Sequence, residues 1–586
     1  MENISVMIWN ELNRFVGTAE EVLMRRRRFK LIDLINKERV SCLYPIYVIS
    51  SGSRAEGLSL PGSDLDYMFI SKDKSVSCSD NISIHKNGLI MDTTDIKPGF
   101  VRLYCHGSFN VNGTILSALT ETNKGLVLSS LLFRDEAVKE CRRTFPSAIA
   151  HGPCSTIDLT ATLDGDMLVC FSCKTWPKVA AEWIDRYINN NWPSRDLITE
   201  IVQDGCLIVP IENPHSQEMN MQWRISFSTA EKKLVHSMNH TQFLCYGLLK
   251  LYLKHVINSN PEVKDLFCSY FLKTCLFYCI EEENIIWNKD NFLDCFWTCF
   301  RRLIKWVKDE YCPNYFIKNN NMFEGKISSD KGRILLRYLN ELYHEGMHSL
   351  LRIPGLLRFQ IYSNRLVFTD VVLTKAEKEC LCDSQLLNLP LQAINEDCLD
   401  FIMYLVTSTN NIDKAILTIS YHKTIHHFVQ KLYGQIVTNK SNKIIYKQKK
   451  ELKSFILHNC MRSDKCTGML LLATLCYLNS EYKESVTVVQ NILKTLTSCT
   501  CYHGGYGLRV QKQAYINGIC GKGLTLNQKF ACNIYTECYC CRVDCKFYPS
   551  EIEREVAQHF EPDRIAYINP WVYSYVILFF FISPCG

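Results

Sequence analysis

The sequence predicts an α+β protein in which a mixed-sheet lobe is followed by a helical lobe and a helical C-terminal extension. Short apolar runs bounded by turn residues ("IYVIS", "DYMFI", "GLIMD", "MLVCF", "CLIVPI") dominate from Tyr47 to about Phe227, as buried strands require. From Thr229 the apolar spacing becomes helical, through "AEKKLVHSMNHTQFLCYGLLKLYLKHVI" and "FLDCFWTCFRRLIKWVKDEYC". The chain has 586 residues, too many for one core, so two to four domains are expected.

Four segments follow from these changes: 1–45, a helical, spine-like start; 46–228, the sheet core; 229–362, the helical lobe; and 363–586, a helical extension. In the first, Leu12, Phe15, Val16, Leu31, Leu34 and Ile35 recur at helical spacing, with Gly17 as the expected kink. In the last, "TGMLLLATLCYLNSEYKESVTVVQNILKTL" resembles one tetratricopeptide-type helical hairpin, with no second copy at a fixed period. An α/β half joined to an α half leaves a cleft between two lobes, which suits a nucleotide.

Composition is that of an ordinary globular protein, 47% hydrophobic and 22% charged, which excludes disorder as the theme. The net charge of +6 argues for no partner by itself, so a polyanion site must lie in local clusters. One is "MRRRRFK", carrying Arg25, Arg26, Arg27 and Arg28; another runs from Lys423 to Lys453, with eight lysines against the single acid Glu451. The 30 cysteines are scattered through apparent helices and strands, and the start "MENISVMIWNELNRF" does not read as a secretory leader, so reduced thiols and a cytoplasmic protein are expected. The C-terminal run "WVYSYVILFFFI" has 12 residues. A spanning helix takes about 20, so a docked helix rather than stable membrane insertion is the expectation.

The chemistry concentrates in "YVISSGSRAEGLSLPGSDLDYMFI". Residues two apart on a strand share a side, so Asp64 and Asp66 project together while Leu65 faces the core. Two carboxylates on one side make a hard-oxygen site for Mg²⁺ (or Mn²⁺). Ahead of them, Gly52 lets the backbone approach a triphosphate closely and Ser53 adds a hydroxyl. Strand, Gly-Ser, helix, acidic pair, strand is the order of a nucleotidyltransferase. A third carboxylate is offered by "HGPCSTIDLTATLDGDMLVCFSCKTWP", where Asp158, Asp164 and Asp166 compete.

The blocks "GSRAEGLSLPGSDLDYM", "HGPC", "WPKVAAEWIDR", "WRISFSTAEKKLV", "SYFLKTCLFY" and "CPNYFIKNNNMF", in that order from about Ser51 to Phe323, resemble the Mab twenty-one domain family, which includes cyclic GMP-AMP synthase and its receptor relatives. The resemblance implies a bilobal nucleotidyltransferase fold and a metal-dependent enzyme that makes a cyclic dinucleotide from ATP and GTP or other nucleoside triphosphates in innate immune signalling. Carried over, it makes Asp64, Asp66 and Asp166 the catalytic metal ligands and Gly52 and Ser53 the phosphate turn. It likewise makes Arg224, Lys250, Ser269 and Tyr270 nucleotide contacts, Tyr270 by stacking on a base. Between "WRISFSTAEKKLV" and "CYGLLKLYLK" the vertebrate synthase inserts a zinc-binding thumb used on DNA. Here only "HSMNHTQFL" intervenes, which implies double-stranded RNA over DNA as the activating partner. Arg25 to Arg28 and Lys254 are the expected nucleic-acid face.

Two other classes compete. A scaffold or developmental regulator would keep the fold without catalysis, and a tailing nucleotidyltransferase would share the carboxylates but make linear RNA. The C-terminal set Cys499, Cys501, His503, Cys520, Cys532, Cys538, Cys540, Cys541 and Cys545 matches no standard zinc spacing and reads as free thiols.

Overall fold

Within the computed structural model, the described residues are 4–39, 46–60, 63, 65–78, 88–106, 113–144, 148–151, 154–160, 163–186, 192–211, 216, 218–327, 329–356, 359–362, 365–368, 411–438, 441–460, 464–496, 501–503, 535–537, 539–542, 545–553, 556 and 565–582. The chain divides into two compact units, the first formed by Met1–Arg26 with Leu43–Val372 and the second by Arg27–Cys42 with Leu373–Gly586.

The first unit begins with helices α1 (Ile4–Phe15) and α2 (Ala19–Arg39), the latter running past the unit boundary. The break expected at Gly17 is there: its φ is +109°, and an added β-carbon would stand 2.7 Å from Arg25 Nη2. Thr18 then restarts the helix with a reciprocal cap, its N–H donating to Glu21 Oε2 at 2.8 Å and its hydroxyl accepting from the Glu21 N–H at 3.3 Å.

Among the described residues the sheet has 11 strands: β1 (Ile46–Ser51), β2 (Leu65–Cys78), β3 (Gly88–Asp92), β4 (Phe100–His106), β5 (Leu119–Thr122), β6 (Gly125–Leu128), β7 (Ile149–His151), β8 (Cys154–Thr160), β9 (Leu163–Cys173), β10 (Cys206–Val209) and β11 (Gln222–Ser226). Their order is β1-β2-β3-β4-β11-β10-β9-β8-β7, with β6 joining β4 to β5. A further β2–β9 pairing closes six of them, from β2 round to β9, into a ring. β2 can serve two neighbours on one side because its register to β9 shifts between Ile70 and Ser75, after which Val76 to Cys78 pair with β3. The β2–β9 and β2–β3 ladders are parallel and β1–β2 is antiparallel, so the sheet is mixed. Trp223 is fully buried at its centre, with Phe133 and Phe171 packed on it and its Nε1 donating to the Leu128 carbonyl at 2.8 Å. Burying such aromatics contributes about 1.5–3 kcal/mol each.

Helices α4 (Ser228–Ser237), α5 (His240–His255), α6 (Ser269–Glu282), α7 (Phe292–Lys308) and α8 (Ser329–Glu345) follow. The short "HSMNHTQFL" connection is a tight turn. Asn239 accepts from the Gln242 N–H at 2.9 Å and donates its own N–H to Gln242 Oε1 at 2.8 Å, a capping box that starts α5 at once. α5 and α6 are apolar on nearly every side, including Phe243, Leu248, Tyr252, Cys275 and Phe277, because they run through the core rather than over it.

In the second unit, helices α9 (Asn411–Val437), α10 (Asn442–Phe455), α11 (Lys465–Leu478) and α12 (Tyr482–Thr495) and the C-terminal α13 (Pro570–Ile582) are described. α11 and α12 form a helical hairpin, pinned by the Ser485 hydroxyl on the Ala473 carbonyl at 2.8 Å. α13 buries Tyr573 and Ile577, and no helix among the described residues is long and apolar enough to cross a membrane. Described cysteines such as Cys170, Cys275, Cys299 and Cys545 are free thiols. Cys499, Cys520, Cys532 and Cys538 lie outside the described residues, as do the side chains of Cys501, His503, Cys540 and Cys541.

Candidate active site

β1 ends at Ser51, and the chain turns through a four-residue helix, α3 (Gly52–Ala55), before it returns as β2. Ser51 is the register partner of Asp66, so the turn stands over the start of β2. Gly52 has φ +68°, and the Asp66 Oδ2 atom lies 1.6 Å from where a β-carbon on it would stand. Only glycine leaves room there for the carboxylate.

Asp66 is in turn the register partner of Asp166 in the parallel β2–β9 ladder, so the two carboxylates rise from adjacent strands. Thr156, across β9 on β8, donates its hydroxyl to Asp166 Oδ1 at 2.6 Å. Cys154 senses this cluster. Burial, then the charges of Asp166 and Asp66, push its thiol up to about 12, while Arg224 on β11 acts the opposite way. Register thus sets Asp166, rather than Asp158 or Asp164, beside Asp66. The side chains of Asp158 and Asp164, and all of Asp64, lie outside the described residues. Just before Asp64, the Ser63 carbonyl accepts from Arg54 Nε at 2.6 Å, which ties the strand's approach to the turn.

A cavity of about 610 Å³ opens in front of the turn, lined by Gly52, Ser53 and Asp66 on the sheet side and by Lys250, Lys254, Ser269 and Tyr270 on the helical side. Seven of the expected site residues therefore face one space. Asp166 and Arg224 are not among its lining residues; they join the cluster through the sheet. Lys254 is exposed on the last turn of α5, and Lys250, one turn earlier, lies over the Tyr246 ring at 5.7 Å. The Tyr270 hydroxyl accepts from Asn314 Nδ2 at 3.1 Å, and burial followed by the Glu231 charge raises its pKa.

The arginine row is different from the expectation. Arg25 and Arg28, three apart and so on one helix face, are buried. Arg25 donates to the Val16 and Gly57 carbonyls and pairs with Glu21 at 3.9 Å. Arg28 lies over the Phe29 ring at 5.0 Å. Arg26 donates Nε to the Glu56 carbonyl at 2.9 Å and its terminal nitrogens to His236 and Val235 carbonyls, with its guanidinium 4.6 Å from the Phe243 ring centre. Three of the four arginines thus satisfy internal carbonyls and rings instead of forming a nucleic-acid face; Arg27 alone of them keeps partial exposure without such a role in the fold. The sequence shows four charges in a row, but not that the elements packed around them expose backbone carbonyls needing donors.

Sequence reasoning also passed over the wall of the cavity. Glu56, Lys273 and Tyr246 line it, and Lys273 Nζ lies 2.8 Å from Glu56 Oε1 and 2.6 Å from Glu231 Oε2. The available signal was a lone lysine and a lone glutamate on otherwise apolar stretches of "SYFLKTCLFY" and "GSRAEGLSL", since such residues are buried only when paired.

A left-handed glycine turn set over strand-borne carboxylates, on a mixed sheet walled by helices, is the makeup of a nucleotidyltransferase domain. Residues 134–237 match the Mab-21 protein nucleotidyltransferase domain, and residues 243–340 the Mab-21 protein HhH/H2TH-like domain. The chain carries both domains of the Mab-21 family, in order. It is 26% identical over 193 residues to the cyclic GMP-AMP synthase-like receptor of Magallana gigas, covering 31% of this chain and 31% of that protein. It is 27% identical over 172 residues to Protein mab-21-like of Drosophila melanogaster, 27% of this chain and 44% of that protein. The cyclic GMP-AMP synthase-like receptor of Tribolium castaneum is 26% identical over 184 residues, 29% of this chain and 40% of that protein. The chain thus spans less than half the length of these relatives. Asp166, Arg224, Lys250, Ser269 and Tyr270 fall inside the matched domains; Gly52, Ser53, Asp64 and Asp66 precede them.

Proposed function

We propose that this protein is a divalent-metal-dependent nucleotidyltransferase that joins nucleoside triphosphates, such as ATP and GTP, into a cyclic dinucleotide when double-stranded nucleic acid, RNA in preference to DNA, docks on it. The observation that carries the reading is the register pairing of Asp66 with Asp166 beneath Gly52. The relatives named cyclic GMP-AMP synthase-like receptor support the product class and, with it, a cytoplasmic role in innate immunity. In this reading residues 46–228 are the catalytic core, 229–362 the second lobe of a bilobal enzyme, and 363–586 an extension.

The donor set fits Mg²⁺ or Mn²⁺: Asp66 and Asp166 offer hard oxygens from adjacent strands, and Gly52 leaves the space a β-carbon would fill. This reading takes Asp64 as the third ligand. Such an ion, when bound, lowers the pKa of a ribose hydroxyl and stabilises charge on the phosphates. The chain's own groups do the rest. Gly52 and Ser53 hold a triphosphate by backbone N–H and hydroxyl, with Lys250 and Ser269 opposite them across the cavity. Tyr270 presents a ring to a base, and Arg224 adds positive charge behind the carboxylates. Asp166, oriented by Thr156, accepts the proton of the attacking hydroxyl as that oxygen bonds to the α-phosphate and the α–β anhydride bond breaks to release pyrophosphate. Of the basic residues, Lys254 is the one at the cavity rim suited to a phosphate backbone.

The test is product analysis from labelled ATP, GTP, CTP and UTP with Mg²⁺ or Mn²⁺, with and without duplex RNA or DNA. A cyclic dinucleotide that requires duplex RNA, and falls at least about 100-fold in Asp66→Asn and Asp166→Asn, is the expected result. Linear, growing RNA would replace this reading with a tailing enzyme. No product and no metal-dependent nucleotide binding would replace it with a scaffold.

A further inference from the structure

The turn that carries Gly52 and Ser53 is held from behind at four points. Lys232 Nζ donates to the Ser50 carbonyl at 2.8 Å, His236 Nε2 lies 3.0 Å from the Ala55 carbonyl, and Arg26 Nε donates to the Glu56 carbonyl at 2.9 Å. The fourth point is the Glu56 carboxylate, which leaves the turn and enters the helical wall. Oε1 accepts from Lys273 of α6 at 2.8 Å and Oε2 accepts from Tyr246 of α5 at 3.1 Å. The first three partners hold backbone carbonyls from α2 and α4. The Glu56 side chain connects the turn to α5 and α6, the helices that carry Lys250, Ser269 and Tyr270.

This contact is strongly built. Glu56 is 2% exposed, Tyr246 2% and Lys273 9%. Burial by itself would drive Lys273 toward its neutral form, but the charges of Glu231 and Glu56 outweigh it and hold the pKa well above the usual value. Two carboxylates share one ammonium, so Lys273 keeps Glu231 when Glu56 is altered, while Glu56 has the Lys273 ammonium as its cation at hydrogen-bond distance. A buried carboxylate in that position does not wander, because leaving its partners strands the charge.

We propose that Glu56 is a positioning residue, clamped by Lys273 and Tyr246, that sets the height of the Gly52–Ser53 turn against the helical wall of the nucleotide cavity. It touches no reacting atom. Its effect passes through the backbone hydrogen bonds of the turn: the Glu56 N–H donates to the Gly52 carbonyl at 3.1 Å, and the Leu58 N–H donates to the Ser53 carbonyl at 2.8 Å. A shift of Glu56 therefore moves both residues that present donors to a phosphate. The catalytic consequence rests on the nucleotidyltransferase reading; the clamp itself does not.

Glu56→Gln separates charge from shape. The amide oxygen still accepts from Lys273, the amide NH₂ donates to Tyr246, whose hydroxyl turns to accept it, and Lys273 keeps Glu231. Hydrogen exchange without ligand reads the clamp, through the amides of residue 56, Gly57 and Leu58. Binding of α,β-methylene-ATP with Mn²⁺ reads the coupling to the site. Glu56→Gln is expected to speed exchange at these amides, and to weaken Mn²⁺-dependent analogue binding, each about tenfold, with the melting temperature nearly unchanged. Tyr246→Phe moves both readouts the same way by less. Unchanged exchange in both variants overturns the clamp. Faster exchange with unchanged affinity overturns the coupling. Absence of Mn²⁺-dependent binding by the unaltered protein sinks the nucleotide reading instead, and the exchange result still decides the clamp.

Discussion

Two lysines, one in each unit, sit between two glutamates at almost the same distances. Lys273 is 2.8 and 2.6 Å from Glu56 and Glu231; Lys453 is 2.6 and 2.7 Å from Glu481 and Glu484. Their surroundings differ. The side chains of the first set are 11%, 2% and 9% exposed, those of the second 22%, 42% and 50%. Water solvates the second set whether or not the pair forms, whereas the first has only itself. Geometry alone would rate the two equal, so burial decides what each is worth. The second set also shows what an acidic cluster without a cleft becomes. Cys476, Glu481 and Glu484 place ligand atoms within 4.8 Å of one another, yet the Lys453 ammonium already supplies their cation.

The largest expected effect is at the buried pair. Lys273→Met leaves two buried carboxylates without their shared cation and is expected to cost about 3–5 kcal/mol in urea unfolding. Adding Glu56→Gln and Glu231→Gln to it should return most of that, since a neutral set of similar size no longer carries the uncompensated charge. If the triple variant is as unstable as the single one, packing rather than charge is what Lys273 provides. The sign with pH follows from the raised pKa of Lys273: its stabilisation is complete below the unfolded value of about 10.4 and is lost as pH rises through the higher folded value.

Next is the turn that the buried pair holds. Gly52→Ala forces a β-carbon onto the Asp66 carboxylate at a φ of +68° and should cost about 1–3 kcal/mol. It should remove Mn²⁺-dependent analogue binding as well, whereas a change confined to stability would leave affinity intact below the melting point.

A smaller effect belongs to His240, whose Nε2 lies 2.8 Å from Asn13 Oδ1. Burial, with Arg26 acting the same way and Glu20 against it, lowers its pKa from 6.5 to about 4. Between those values the unfolded chain takes up a proton that the folded one refuses, so stability should fall as pH drops from 6.5 toward 4 and level off below. A His240→Gln variant whose melting temperature falls just as steeply over that range would assign the dependence elsewhere.

The smallest is Lys453→Met, expected to cost under about 1 kcal/mol and to vanish in 1 M salt. A loss comparable with that of Lys273→Met would break the comparison on which this ordering rests.

Much of the sheet was legible because local patterns wrote it. β1, β2, β3, β9 and β10 coincide with the apolar runs; β10 is buried throughout, while β1 and β3 alternate buried and half-buried residues along one pleated strand. The Gly-Ser turn and Asp66 were legible for the same reason: Gly52 and Asp66 are read from one 24-residue stretch, and only the turn's conformation joins them. The inward roles of Arg25 and Arg26 were not legible, because charge is visible in sequence while the carbonyls of Val16, Gly57, Glu56, Val235 and His236 that use it are not. Glu56 was passed over because its partners stand 190 and 217 positions away.

By itself, the sequence determined the succession from strands to helices, the glycine that must turn, and the Asp66 that opens the strand after it. These are properties of neighbours, governed by backbone sterics and by the two- and 3.6-residue periods. Only the tertiary structure decided that Asp166 is the register partner of Asp66, that Arg25 and Arg28 are buried and Arg26 donates to internal carbonyls, and that Lys273 grips the turn through Glu56. Strand register across a parallel ladder and the pairing of buried charges are settled by whatever the fold brings opposite, and no local pattern carries that information.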